Sequence, residues 1–127
     1  MIRGIGTDVV EINRFRNLNQ KTEFLEQVLT REEINGAPTD PTSDDAHFAT
    51  LFALKEAMLK ALGCGLETGS HWHDIHVTCD WNIYLTGILG RRADEDSIST
   101  ILTSHSYSET TAIAFVIIST TNEKVTP

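Results

Sequence analysis

The stretch FALKEAMLKALGCG, residues 52–65, decides how the chain folds. On a wheel of 100° per residue started at Phe48, Ala61, Leu54, Met58, Leu51, Leu62, Leu59 and Phe52 share one arc, from about 220° through 0° to about 40°. That arc predicts a long core-facing helix, capped at its start by Asp44 or Asp45 and stopped after Leu62 by Gly63-Cys-Gly65. Glu56 falls at about 80° and Lys60 at about 120°, one turn apart on the flank of the apolar face. Lys55 falls at about 340°, inside the apolar arc, where a lysine is seldom tolerated without a partner or an anionic ligand.

Working outward, Ile5 to Ile12 is β-branched and apolar enough for a strand. Phe15, Leu18, Phe24, Leu25, Val28 and Leu29 recur at helical spacing and predict two short helices. Thr30-Arg-Glu-Glu33 fits a capping box and predicts a helix start. Residues 35–45 hold two prolines and almost nothing apolar, which predicts an exposed acidic loop. Asp74 to Thr78 and Asn82 to Thr86 read as a hairpin around Asp80-Trp81, and a short helix follows Gly87. Two further strands, about Ser97 to Ser104 and Thr110 to Ser119, precede a polar tail at about 120–127. The mixture is α+β.

The 127 residues suit one domain, expected to span the whole chain. An apolar content of 40% excludes a disordered or fibrous chain. The longest apolar run, Ala112 to Ile118, is far short of the roughly 20 residues that span a bilayer. Met-Ile-Arg-Gly-Ile-Gly is no signal peptide, so the expected location is the cytoplasm and no membrane partner is expected. Cys64 and Cys79 lack C-x-x-C spacing and read as reduced thiols. The formal charge of −8 is uneven: residues 1–31 carry five basic and four acidic side chains, whereas residues 32–45 carry five acidic and no basic ones. No basic stripe with interleaved aromatics supports nucleic-acid binding. Ser104-His105 lacks a G-x-S-x-G setting, and no P-loop is present. His71, His73 and His76 have no matching metal-ligand spacing elsewhere.

Local chemistry leaves alternatives open. Glu56 and Lys60 are a surface ion pair or part of a site; Lys55 snorkels from a core edge or meets a ligand. Asp8-x-x-Glu11 is a helix cap or contributes a carboxylate. Three motifs in order add to this: GIGTDVVEI at residues 4–12, FALKEAMLKALGCG at 52–65, and Ser104-His105 followed by AIAFVII at 112–118. Together they resemble the holo-acyl-carrier-protein synthase family of 4'-phosphopantetheinyl transferases. Thr30-Arg-Glu-Glu33, Trp72-x-Asp-Ile75 and Leu85-x-Gly87 stand where that family has comparable elements.

The resemblance implies one long helix packed on a small antiparallel sheet, assembled as a homotrimer with coenzyme A between subunits. It implies transfer of the phosphopantetheine arm of coenzyme A to a serine of an apo acyl carrier protein, releasing adenosine 3',5'-bisphosphate. Mg²⁺ is a hard cation commonly held by one or two carboxylates with substrate phosphates, and Asp8 and Glu56 fit that count. Lys60 would stabilise phosphate charge or assist proton transfer, and Lys55 would meet phosphate or hold Glu56. Gly63 and Gly65 would let backbone approach the cofactor, although a plain helix cap explains Gly63 equally well. His105 would contact a cofactor phosphate or the incoming hydroxyl, against a purely structural role. Arg14, with Arg16 and Lys21 nearby, would grip the acidic carrier, against ordinary surface charge.

Three features depart from the family's pattern. Leu51 replaces an arginine before Phe-Ala-x-Lys-Glu, residues 43–47 are acidic where basic residues are common, and Leu102 replaces a serine. They keep open a relative that binds carrier protein or coenzyme A without efficient transfer.

Overall fold

The computed structural model describes residues 1–63 and 72–121. Gly65, Cys64, His71 and residues 122–127 of the polar tail lie outside the described residues. The N-terminal β-branched run forms β1 (Ile2–Glu11), followed by α1 (Asn13–Arg16), α2 (Lys21–Val28) and α3 (Arg31–Asn35). The decisive stretch belongs to α4 (Pro41–Leu62); then come β2 (Ile75–Val77), β3 (Ile83–Leu85), α5 (Gly87–Glu95), β4 (Ile98–Tyr107) and β5 (Thr111–Thr120). β1, β5 and β4 form an antiparallel sheet in that order, and β2 and β3 form a separate hairpin. The architecture is α+β, with the long helix on the sheet.

Helix α4 begins earlier than the sequence predicts. Pro41 occupies its first position, where a missing amide donor is harmless. The acidic loop therefore shrinks to residues 36–40, and Asp45 is buried rather than capping. Its carboxylate accepts from Arg16 Nε at 3.3 Å and from the Lys21 ammonium, tying α1 and α2 to α4.

Close approach sets where α4 lies. A Cβ at Gly4 would stand 2.1 Å from the Ala61 carbonyl oxygen, and one at Gly6 would stand 1.9 Å from that of Ala57. Only glycine lets β1 meet the helix backbone so closely. Ala112 and Ala114 of β5 are buried, and small side chains there serve the same approach. All seven residues of the apolar arc on α4 are buried, as the wheel requires. Phe15, Phe24 and Phe52 close one end of the core with ring centroids 5.8–5.9 Å apart. The other face of the sheet is open: Ile5, Val9, Leu102 and Phe115 are 42–64% exposed.

Candidate active site

Strand alternation and helix phase assemble the first cluster. Asp8 leaves β1 two residues after Gly6, so it shares the helix-facing side, and the close approach brings it to the flank of α4. Lys60 Nζ donates to Asp8 Oδ1 and to the Thr7 carbonyl, both at 3.0 Å. Glu56, one turn earlier, is half-buried. Burial pushes its carboxyl above the usual range and the Asp8 charge adds to this, against Lys60 and Arg14. Among the described residues no hydrogen bond or ion pair is formed by the Glu56 carboxylate. The Arg14 guanidinium stands over the Phe52 ring, 5.6 Å from its centroid. Asp8, Glu56, Lys60 and Arg14 thus share one electrostatic environment, exposed at Lys60 and Arg14.

Lys55, adjacent to Glu56, does not join them. It is fully buried, and its ammonium donates to Glu33 Oε1 at 2.7 Å and to the carbonyls of Val28 at 2.9 Å and Trp72 at 3.3 Å. Glu33 in turn accepts from the Thr30 amide at 2.9 Å and the Val77 amide at 2.8 Å. Burial lowers the lysine's affinity for its proton while Glu33 restores it. The expected contact with phosphate or with Glu56 is corrected: the group is enclosed and its donors face acceptors from α2, α3 and the 3-10 turn at Trp72–Asp74. The sequence flagged the anomaly but missed the partner, because Glu33 already had a full explanation as the reciprocal residue of the capping box, which does form.

His105 lies elsewhere. Asp8, Ala114 and His105 occupy one row across β1, β5 and β4. Strands about 4.8 Å apart put the Cα atoms of Asp8 and His105 roughly 10 Å apart. Helix α4 covers β1 and β5, between them. His47 and Glu56 are nine positions apart on that helix, hence about 180° out of phase. Glu56 is on the β1 flank; His47 touches the Trp81 indole at 5.3 Å between centroids, and that indole lies 4.4 Å from the His105 ring on the β4 flank. Sequence reasoning missed Trp81 and His47, which lie outside the three motifs quoted above. Burial lowers both histidines' affinity for a proton.

Beside the second cluster is a cavity of about 550 Å³ walled by Leu51, Val77, Trp81, Tyr84, His47 and Glu33. Leu51 thus presents an apolar wall, and Leu102 stands on the opposite, open face of the sheet. Gly63 has φ +75° and open space where a Cβ would stand, which is the geometry of a helix cap. Arg16 and Lys21 are engaged by Asp45, whereas Arg14 forms no ion pair among the described residues and stands over the Phe52 ring. Of the histidine group, His73 contacts the Glu26 carbonyl at 2.8 Å, and His76 stacks on Tyr84 and contacts Thr86 Oγ1 at 3.0 Å. These two rings are committed to separate partners. Ser104 and His105 project to opposite sides of β4, which excludes a dyad between them. Among the described residues no helix is long and apolar enough to cross a membrane.

Comparison with known proteins places this geometry. The model of the 4'-phosphopantetheinyl transferase superfamily matches residues 4–116. A holo-acyl-carrier-protein synthase of Geotalea daltonii is 35% identical over 124 residues, 93% of this chain and 98% of the relative. The crystal structure of that enzyme from Neisseria meningitidis superposes with a TM-score of 0.80 at 31% identity, covering 94% of this chain and 99% of the other. The Helicobacter pylori enzyme, in complex with coenzyme A, gives 0.73 at 30% identity, covering 91% and 99%. The chain belongs to the holo-acyl-carrier-protein synthase family of the 4'-phosphopantetheinyl transferase superfamily.

Proposed function

We propose that the chain, acting as a single domain over its full length, transfers the 4'-phosphopantetheine arm of coenzyme A to a serine hydroxyl of an apo acyl carrier protein. The observation that carries this is the cluster of Asp8, Glu56 and Lys60, held together by the contact between β1 and α4. In the transfer, the serine oxygen bonds to the phosphorus bearing the pantetheine arm, the pyrophosphate P–O bond breaks, and adenosine 3',5'-bisphosphate leaves. The barrier is dominated by charge on phosphate oxygens, so positioned cations matter more than covalent help.

Two hard carboxylate oxygen donors, one of them pushed up by burial and further by its like-charged neighbour, suit Mg²⁺, and we infer that Asp8 and Glu56 hold it. When bound there it supplies neutralisation of pyrophosphate charge. Lys60 donates to Asp8 and a carbonyl, so it serves as a fixed positive charge rather than a proton acceptor. Burial lowers the proton affinity of His105, which favours the form that offers a lone pair to an incoming hydroxyl. Arg14, at the edge of the Glu56 cluster, meets the acidic carrier. With Arg16 and Lys21 committed, the response of that contact to salt is shallower than three free cations would give.

The separation of His105 from Glu56 by α4 supports a shared site. β1 and β4 are the two edges of the sheet. A second copy with its β4 edge beside this β1 edge would bring its His105 to the carboxylate pair. A head-to-tail contact whose rotation closes makes a ring, and we infer a ring of three, for which the open apolar face at Ile5, Val9, Leu102 and Phe115 is suited to being covered.

The test is incubation with Mg²⁺, coenzyme A and an apo carrier protein, read by mass spectrometry. One phosphopantetheine arm on the carrier serine is the expected gain; an unchanged mass leaves only a binding protein. For the shared site, Asp8→Ala and His105→Ala proteins are each expected to be impaired and to regain activity when their subunits are exchanged. Absence of complementation would place the whole site within one chain.

A further inference from the structure

Trp81 has φ +65°, in the left-handed region where a bulky side chain is strained and glycine is usual. Such strain persists where surroundings over-determine it, and it gathers at functional sites. The turn is held on several sides. The Trp81 amide donates to the Thr78 carbonyl at 2.9 Å, and the Asn82 amide donates to Thr78 Oγ1 at 3.1 Å. The Thr103 hydroxyl donates to the Trp81 carbonyl at 2.8 Å. Thr103 lies two residues before His105 on the same side of β4, so this last bond ties the turn to the strand that carries the histidine.

The strained turn lays the indole against the His105 ring, with centroids 4.4 Å apart and planes inclined at 40°. His47 meets the same indole edge-on, at 5.3 Å and 64°. Among the described residues no hydrogen bond reaches the His105 imidazole, and the indole is the ring it touches. A side chain with two rotatable bonds and no hydrogen bond is oriented by packing alone. We propose that Trp81 is a positioning residue for His105, its strained turn serving to fix the plane in which the imidazole meets the incoming hydroxyl. This rests on the reading of His105 given above. It assigns a part in the reaction to a residue outside the three motifs at residues 4–12, 52–65 and 104–118.

The titratable groups on the surrounding elements are His47 on α4, Cys79 and Asp80 in the hairpin turn, Asp8 two strands away in the same row and, in the shared site proposed above, the carboxylate pair of a neighbouring copy. Burial alone accounts for the lowered proton affinity of His105, so uncovering the ring should raise it.

Trp81→Gly separates positioning from folding, because glycine accepts the left-handed backbone and removes only the ring. Trp81→Asn, which also tolerates that conformation, is the second variant should the first fail to fold. In both, the His105 titration followed by NMR is expected to move up toward about 6.5, the ordinary imidazole value. The turnover number should fall roughly tenfold with KM for coenzyme A within about twofold, an effect reserved to the reacting state. Trp81→Phe should recover most of the rate, and Trp81→Gly should cost little more in a His105→Gln background. The proposal is overturned by an unmoved His105 titration, or by a rise in KM with unchanged turnover, which would make the indole a cofactor contact. If the unaltered protein transfers no arm to any carrier, the functional reading fails. The positioning proposal then falls with it, and a moved His105 midpoint shows only that the indole covers the ring.

Discussion

Lys55 and Glu56 are consecutive on α4, yet their charges meet opposite surroundings. Lys55 is enclosed with Glu33, and its contacts with one carboxylate and two carbonyls satisfy every donor it has. Glu56 is half-buried beside the like charge of Asp8, with its proton affinity raised and no ion pair of its own among the described residues. A satisfied buried pair has nothing left to offer a ligand. Glu56, at an opening and coupled to the Asp8 carboxylate that Lys60 holds, keeps lone pairs that a cation can take. The difference fits a structural part for Lys55 and the chemical part proposed for Glu56.

The comparison can be broken most severely at its closed half. Lys55→Ala leaves Glu33 buried without its cation, and loss of one partner from such a pair costs about 3–5 kcal/mol. Urea unfolding should show this, and Lys55→Met combined with Glu33→Leu should recover most of it. A Lys55→Ala protein of unaltered stability but impaired coenzyme A binding would return Lys55 to the site.

At the open half the expected loss is activity. Asp8→Ala and Glu56→Ala should each lower transfer about 10²–10³-fold. Their urea midpoints should stay near that of the parent, and carrier modification by mass spectrometry gives the rate. Retained transfer in the double variant would remove both from the proposed metal site.

Gly6→Ala tests what joins the halves. The added carbon meets the Ala57 carbonyl oxygen, so β1 and α4 must separate, at a cost of about 1–3 kcal/mol for overpacking. Separation should also detach Asp8 from Lys60, lowering activity by more than the fraction unfolded explains.

The smallest effect concerns pH. The folded state raises the proton affinity of Glu56 above that of the unfolded chain, so its ionised form opposes folding at neutral pH. Glu56→Gln should therefore raise stability at pH 7, by a few tenths of a kcal/mol given solvent screening. The gain should fade as pH falls through the raised range of the folded carboxyl and be gone below about 4, where both states bind the proton. Thermal unfolding at pH 7 and pH 3.5 provides the measurement.

Much of this was legible in the chain. The apolar arc of α4, the capping box at Thr30, the hairpin around Trp81 and the two C-terminal strands follow from periodicity and turn chemistry, which are local. The start of α4 was less so. Proline reads as a breaker, but at a first helical position it is a starter, and Asp45 was drawn from capping into an ion triad by residues 24 and 29 positions away. Asp8, Glu56 and Lys60 could be nominated from motifs, but the close approach that Gly4 and Gly6 permit emerges only in the fold.

The sequence by itself determined the family, the helix and the set of charged residues available for phosphate chemistry, because side-chain type and spacing along one element carry that information. Which charges meet was left to tertiary structure. Glu33 and Lys55 are 22 positions apart in the chain and 2.7 Å apart in space. Asp8 and His105 share one row of the sheet, yet α4 parts His105 from Glu56. Pairing of that kind depends on how α4 lies over the sheet, and no local pattern encodes it. The physical reason is that the energy of a charge is set by whatever surrounds it, and in a folded chain most of those surroundings come from elsewhere in the sequence.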